Sequence, residues 1–107
     1  MRLCLIFVLI FLSCGGPSEP LSPEEKKLKQ GQALYRTLCT SCHNIDPTRE
    51  GSIGPTVADA SLELLTAKVL HGTYPPGHKP ARTTNLMTRI ALTEDDLKAL
   101  AAFLQKK

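Results

Sequence analysis

The feature that most restricts the fold of this chain is a pair of cysteines in the segment TLCTSCHNI, residues 37–45. Cys39 and Cys42 are separated by two residues, and His43 follows the second cysteine directly. Redox dithiols, halves of zinc sites and segments that hold a covalently attached cofactor all use this spacing of cysteines. Each use requires a different fold around the pair, so the choice among them also decides the fold class.

Cys39, Cys42 and His43 match C-x-x-C-H, the signature of covalent c-type haem attachment. Two thiols one helical turn apart can reach the two vinyl groups of one porphyrin and form thioethers. The adjacent imidazole then faces the iron. Given how rare Cys and His are in this chain, about 0.004 such motifs are expected by chance. The sequence therefore predicts one covalently attached haem.

The two other uses of the cysteine pair find less support in the sequence. A redox dithiol of this spacing belongs near a βαβ pattern, and no strand pattern precedes Cys39. A zinc site needs further ligands, and only His71 and His78 are left to supply them. Both stay as alternatives to haem.

Residues 1–13 are predicted to be a secretory signal peptide. Arg2 gives them a positive start, and the apolar run Leu3–Leu12 ends beside the small Ser13. Ten helical residues span ~15 Å, which is too short for ~30 Å of hydrocarbon, so the run does not predict a membrane-spanning helix. We expect an exported protein of the periplasm or cell envelope. Export fits the haem prediction, because bacteria attach c-type haem outside the cytosol.

Cys14 stands where the apolar run ends. It resembles the cysteine of the lipobox of bacterial lipoproteins, which is acylated and becomes the mature N-terminus. Phe11 and Leu12 depart from the usual lipobox pattern, and cleavage nearby without acylation is the alternative. Residues 14–21 are rich in Gly, Pro and Ser, and we expect them to be a short tether that leads from a lipid anchor in the membrane.

Residues 22–107 are predicted to form one all-α domain of three main helices and long loops, because apolar residues recur at helical spacing and no strand alternation is present. The first helix is expected over 23–38, since Ser22 and Glu25 have the spacing of a capping box. The second is expected over about 61–71, capped by Asp59 or Ser61. The last is expected to begin after Thr93.

The predicted domain has little apolar bulk for its length. It has no Trp and two long segments without periodicity, 44–60 and 72–84. Its aromatic residues are Tyr35, Tyr74 and Phe103. A buried haem would complete such a core.

Residues 14–107 hold twelve Lys and Arg and ten Asp and Glu. This formal charge of +2 is too small to indicate nucleic-acid binding.

The stretch from Glu25 to Leu104 resembles the small monohaem class I cytochrome c family. Gly31 and Tyr35 match the glycine and aromatic pair of the family's first helix. The contact face of its last helix is matched by Leu97, Leu100, Phe103 and Leu104. The resemblance implies the cytochrome c-like fold, in which these two helices cross closely and the glycine permits the approach.

The resemblance also implies the surroundings of the iron. Gly54-Pro55 matches the loop whose proline carbonyl accepts a hydrogen bond from Nδ1 of the axial histidine, here His43. Met87 precedes the last helix as the second axial ligand does in the family, although Thr88 replaces the proline that often follows. His78 is the rival ligand, and a methionine that only fills the apolar core is the alternative to ligation by Met87.

His43 and Met87 together would leave the iron no open position, which implies an electron carrier and not an enzyme. Its partners would be a redox donor and acceptor, and Lys79 and Arg82 could meet haem propionates or an acidic partner. The alternative is a haem-based sensor whose sixth ligand leaves readily. Peroxidase chemistry is disfavoured, because the exported dihaem peroxidases need two C-x-x-C-H motifs and this chain has one.

Overall fold

The computed structural model describes residues 14–105, so the predicted signal peptide, residues 1–13, lies outside the described residues. Residues 14–21 are exposed and have no regular secondary structure. Their function as a tether and the acylation of Cys14 stay predictions. No helix in the described part of the chain is long and apolar enough to cross a membrane.

The described residues form helices joined by irregular segments, without a β-strand among them. In chain order the elements are α1 (Pro23–Leu38), α2 (Leu62–Leu65), a π-helical turn (Thr66–Leu70) that continues α2, and α3 (Glu94–Leu104). The predicted all-α class is confirmed. The bounds predicted for the first helix are also those observed.

Reciprocal hydrogen bonds between side chain and backbone fix where the two long helices begin. At α1, Oγ of Ser22 accepts from the amide of Glu25 at 3.2 Å, and the Glu25 carboxylate accepts from the amide of Ser22 at 2.8 Å. Thr93 and Asp96 repeat this capping box at α3. The backbone hydrogen bonds lower the pKa of the Glu25 and Asp96 carboxyls.

The second helix differs from the prediction in its inner geometry. It covers 62–70 where 61–71 was expected, and its second half is π-helical. Ser61 is the cap, whereas Asp59 has a positive φ of 62° and lies outside the helix. Apolar spacing does not distinguish an α from a π turn over five residues, so the sequence could not predict the wider turn.

The core forms where α1 crosses α3. A Cβ added to Gly31 would lie 2.6 Å from the carbonyl carbon of Ala99 and 2.9 Å from Cβ of Phe103. Only a glycine therefore allows this approach. The rings of Tyr35 and Phe103 meet with centroids 5.6 Å apart. Around this crossing lie the buried leucines Leu65, Leu97, Leu100 and Leu104.

Tyr35 also connects α1 to the segment that follows His43. Its hydroxyl donates a hydrogen bond to the backbone carbonyl of Asn44. Burial raises the pKa of Tyr35 to about 12, so the phenol keeps the proton that it donates. The packing of α1 and the placement of residues near His43 are thus coupled through one side chain.

Replacing Gly31 by valine should lower the free energy of unfolding by about 2–3 kcal/mol, because the added atoms overlap the backbone of α3. Chemical denaturation of the purified protein measures this change. Ala33→Val is the matched control, since Ala33 is an exposed residue of the same helix. Equal effects at the two positions would contradict the close crossing at Gly31.

Candidate haem site

The C-x-x-C-H segment begins where α1 ends. Cys39 is the C-cap of α1, and its amide donates to the carbonyl of Tyr35 at 3.0 Å. The carbonyl of Cys39 accepts from the amide of His43 at 2.9 Å and from that of Cys42 at 3.3 Å. Both thiols and the imidazole therefore project from a single turn that the end of α1 fixes. The two cysteines are half-buried and are not joined by a disulfide.

The imidazole of His43 is oriented by one backbone carbonyl. Its Nδ1 lies 2.8 Å from the carbonyl oxygen of Pro55. Because a carbonyl can only accept, Nδ1 carries the proton, and the lone pair of Nε2 can ligate a metal. The predicted hydrogen bond to Pro55 is thus present. The Gly-Pro loop lies at the histidine, as the resemblance implied.

Two glycines let the backbone of residues 51–55 wrap around His43, and we call this loop the His43 cradle. A Cβ on Gly54 would lie 2.5 Å from Nδ1 of His43, and one on Gly51 would lie 2.6 Å from the Cα of His43. The carbonyl of Cys42 accepts from the amide of Gly54 at 2.9 Å, which closes the cradle. Two thiols beside an imidazole with a free Nε2 fit c-type haem.

Gly54→Ala is expected to displace the imidazole, because the new methyl group and the ring cannot occupy the same space. Loss of such an orienting contact costs roughly tenfold or more in metal affinity or activity. We expect a comparable fall in haem per protein, measured as the ratio of haem to protein absorbance after purification. Ser52→Ala, an exposed change in the same loop, should retain the wild-type ratio. A normal ratio in Gly54→Ala would contradict the cradle.

The surroundings of the thiols do not favour the alternatives to haem. Burial raises the pKa of Cys39 to about 11, so its thiol is protonated at neutral pH. Redox dithiols instead lower the pKa of the attacking cysteine. Within residues 14–105, no group of three or more His, Cys, Asp or Glu side chains is placed to hold a metal ion such as zinc.

Met87 lies in the irregular segment before α3. It is half-buried and packs against the same apolar core as Cys39. Three residues further on, the amide of Ile90 donates to the carbonyl of Val69 at 2.8 Å, which ties the segment to the π-helical turn. These contacts place Met87 and Cys39 at the edge of one core. Iron ligation by Met87 stays a prediction.

The other histidines lie in exposed positions. His71 is the C-cap residue of the π-helical turn. His78 stacks on Tyr74, with ring centroids 5.2 Å apart and planes within 5° of parallel. The stacking holds the imidazole of His78 against the ring of Tyr74.

The sequence offered Lys79 and Arg82 as contacts for haem propionates or for an acidic partner. Of these two side chains, Arg82 forms an ion pair. Its guanidinium lies 3.2 Å from the carboxylate of Glu50, which connects the two long loops. Lys79 is exposed.

Sequence reasoning missed Gly51 as a residue of the site, although a second glycine three residues before Gly54 was a visible sign of a tightly folded loop.

Comparison with known protein families agrees with this geometry. The family model for cytochrome c matches residues 28–107, a stretch that includes most of α1, the C-x-x-C-H segment, the His43 cradle and α3. No curated protein matches the chain. The family implies a covalently bound c-type haem with its iron and exchange of electrons with partner proteins. Because the family model matches residues 28–107, which are most of the chain, the chain belongs to the cytochrome c family.

Proposed function

We propose that this protein is a monohaem electron carrier with His43 and Met87 as axial ligands. The observation that carries the proposal is the 2.8 Å hydrogen bond from Nδ1 of His43 to the carbonyl of Pro55, beside two free thiols. When bound, the haem supplies a reversible change of one electron between ferrous and ferric iron. The residues of the chain hold the group and set its surroundings.

Each residue of the site has a separate task in this proposal. Cys39 and Cys42 form the thioethers, and His43 ligates through Nε2. The carbonyl of Pro55 holds the ring in one tautomer and strengthens it as a donor. Met87 offers a soft thioether on a flexible side chain, which suits haem iron and raises its reduction potential.

Occupation of both axial positions by side chains favours electron transfer over bond chemistry, because no position is left for a substrate. The alternative is a haem protein that binds a small ligand after its sixth ligand leaves. The place of Met87 in the segment just before α3, where the family resemblance puts the second axial ligand, supports the closed form. We therefore expect the protein to exchange single electrons with a donor and an acceptor protein.

A redox titration of the purified, exported protein tests this function. The carrier should titrate reversibly as a one-electron couple, with unchanged spectra after repeated cycles, and the reduced protein should pass its electron to a soluble one-electron acceptor. Irreversible titration, or consumption of hydrogen peroxide with catalytic turnover, would contradict a carrier.

We also propose that the protein is exported and anchored in the cell envelope through acylated Cys14. Cys14 is exposed in the structure, ahead of a segment without regular secondary structure. The eight residues from Cys14 to Ser22 reach at most ~26 Å. The haem would therefore stay close to the membrane and to redox enzymes there.

Cys14→Ser should move the protein from the membrane fraction to the soluble fraction, because the acyl chains attach only to the cysteine. Immunoblots of the separated fractions measure the distribution. Ser18→Ala, an exposed change in the same segment, should stay with the membrane. If Cys14→Ser is distributed between the two fractions as wild type is, the anchor proposal is contradicted, whereas the carrier proposal is unaffected.

A further inference from the structure

Two consecutive residues of the π-helical turn hold the segment that carries Met87. Nζ of Lys68 donates to Oδ1 of Asn85 at 2.8 Å, two residues before Met87. The carbonyl of Val69 accepts from the amide of Ile90 at 2.8 Å, three residues after Met87. The segment is thus held on both sides of the methionine by neighbouring positions of one turn.

Lys68 makes a second contact that holds the preceding loop. Its Nζ lies 4.4 Å from the centroid of the Tyr74 ring, on which His78 stacks. A cation over an aromatic face and a hydrogen bond from a charged donor both stabilise the arrangement in which they form. One ammonium group therefore joins the loop around Tyr74 to the residues just before Met87.

The core fixes the position from which Lys68 acts. Its neighbour Val69 is 3% exposed and belongs to the main apolar cluster. Within the π-helical turn, the carbonyl of Ala67 also accepts a hydrogen bond from the amide of Thr73 at 3.1 Å. Wide turns of this kind occur often at functional sites. Here the turn packs on the core and holds in place the segment around Met87, which has no regular secondary structure.

We propose that Lys68 is a positioning residue for Met87. By holding Asn85, it keeps the segment in the conformation in which Met87 can ligate the iron, and it lowers the population of molecules whose sixth position is open. This inference rests on the proposed ligation by Met87. An external ligand such as carbon monoxide binds only the open molecules, so its apparent affinity follows their population.

Lys68→Met tests the inference in the full-length haem-loaded protein, because it keeps most of the aliphatic chain and removes the ammonium group. Loss of a hydrogen bond from a charged donor should raise the apparent affinity of the reduced protein for carbon monoxide by about tenfold. Hydrogen exchange at the amide of Ile90 should accelerate by a similar factor. Lys68→Arg, which keeps a charged donor, should restore both values.

Lys27→Met is the matched control, since Lys27 is an exposed lysine of α1 and its replacement removes the same charge. It should behave as wild type in both measurements. If Lys68→Met also behaves as wild type, or if Lys27→Met has the same effect as Lys68→Met, the inference is overturned while the carrier function stands. If wild type itself binds carbon monoxide at once, the proposed closed iron fails, and the inference fails with it.

Discussion

Replacing Cys39 and Cys42 together by alanine is expected to abolish covalent haem attachment, because each thioether needs a cysteine sulfur. His43 alone could hold haem only by a reversible bond to iron. The double variant should therefore lose all haem stain on a denaturing gel, and its intact mass should be that of the chain alone. The effect is complete loss, the largest that we expect from any change to this protein.

Matched variants separate this result from damage to the turn. Ser41→Ala changes an exposed residue between the two cysteines and should retain full covalent haem. Each single cysteine variant keeps one thiol and should retain at most one thioether. Covalent haem in the double variant would show that the attachment site lies elsewhere.

Met87→Ala is expected to have the second largest effect, through loss of the proposed sixth ligand. Methionine ligation raises the haem potential, and axial ligands as a class set potentials over roughly 0.8 V. We expect the variant's potential to fall by on the order of 0.1 V. The weak red absorption band that marks methionine on ferric haem should vanish too.

Leu86→Ala is the control for Met87→Ala, because Leu86 is the adjacent residue and its side chain is 68% exposed. It should keep both the band and the potential of wild type. If Met87→Ala keeps them as well, Met87 is not the ligand. His78→Ala would then be the next variant to measure, since His78 was the rival ligand in the sequence.

Local signals in the sequence predicted the parts of the fold that depend on near neighbours. The bounds of α1 follow from a capping box at Ser22 and Glu25, whereas the crossing of α1 with α3 at Gly31 was implied by the family resemblance. The hydrogen bond between His43 and Pro55 was also predicted, although only through the family resemblance. Helix caps and apolar periodicity act over a few residues, and for this reason they are readable from one sequence.

The parts that could not be predicted depend on contacts between distant segments. Lys68 reaches Asn85 across 17 positions of the chain, and no pattern in either segment indicates the other. The ion pair of Arg82 with Glu50 is of the same kind. Such contacts arise only after the core has placed two irregular segments side by side, so the tertiary structure is needed to find them.

The proposed electron-carrier function depends most on a haem iron that the chain closes on both faces. The most direct measurement is the absorption spectrum of the reduced, exported protein before and after it is exposed to carbon monoxide. An electron carrier with both axial positions filled should show a low-spin c-type spectrum that carbon monoxide does not change on mixing. A high-spin spectrum, or immediate formation of a carbon monoxide complex, would show an open iron and contradict the electron-carrier function.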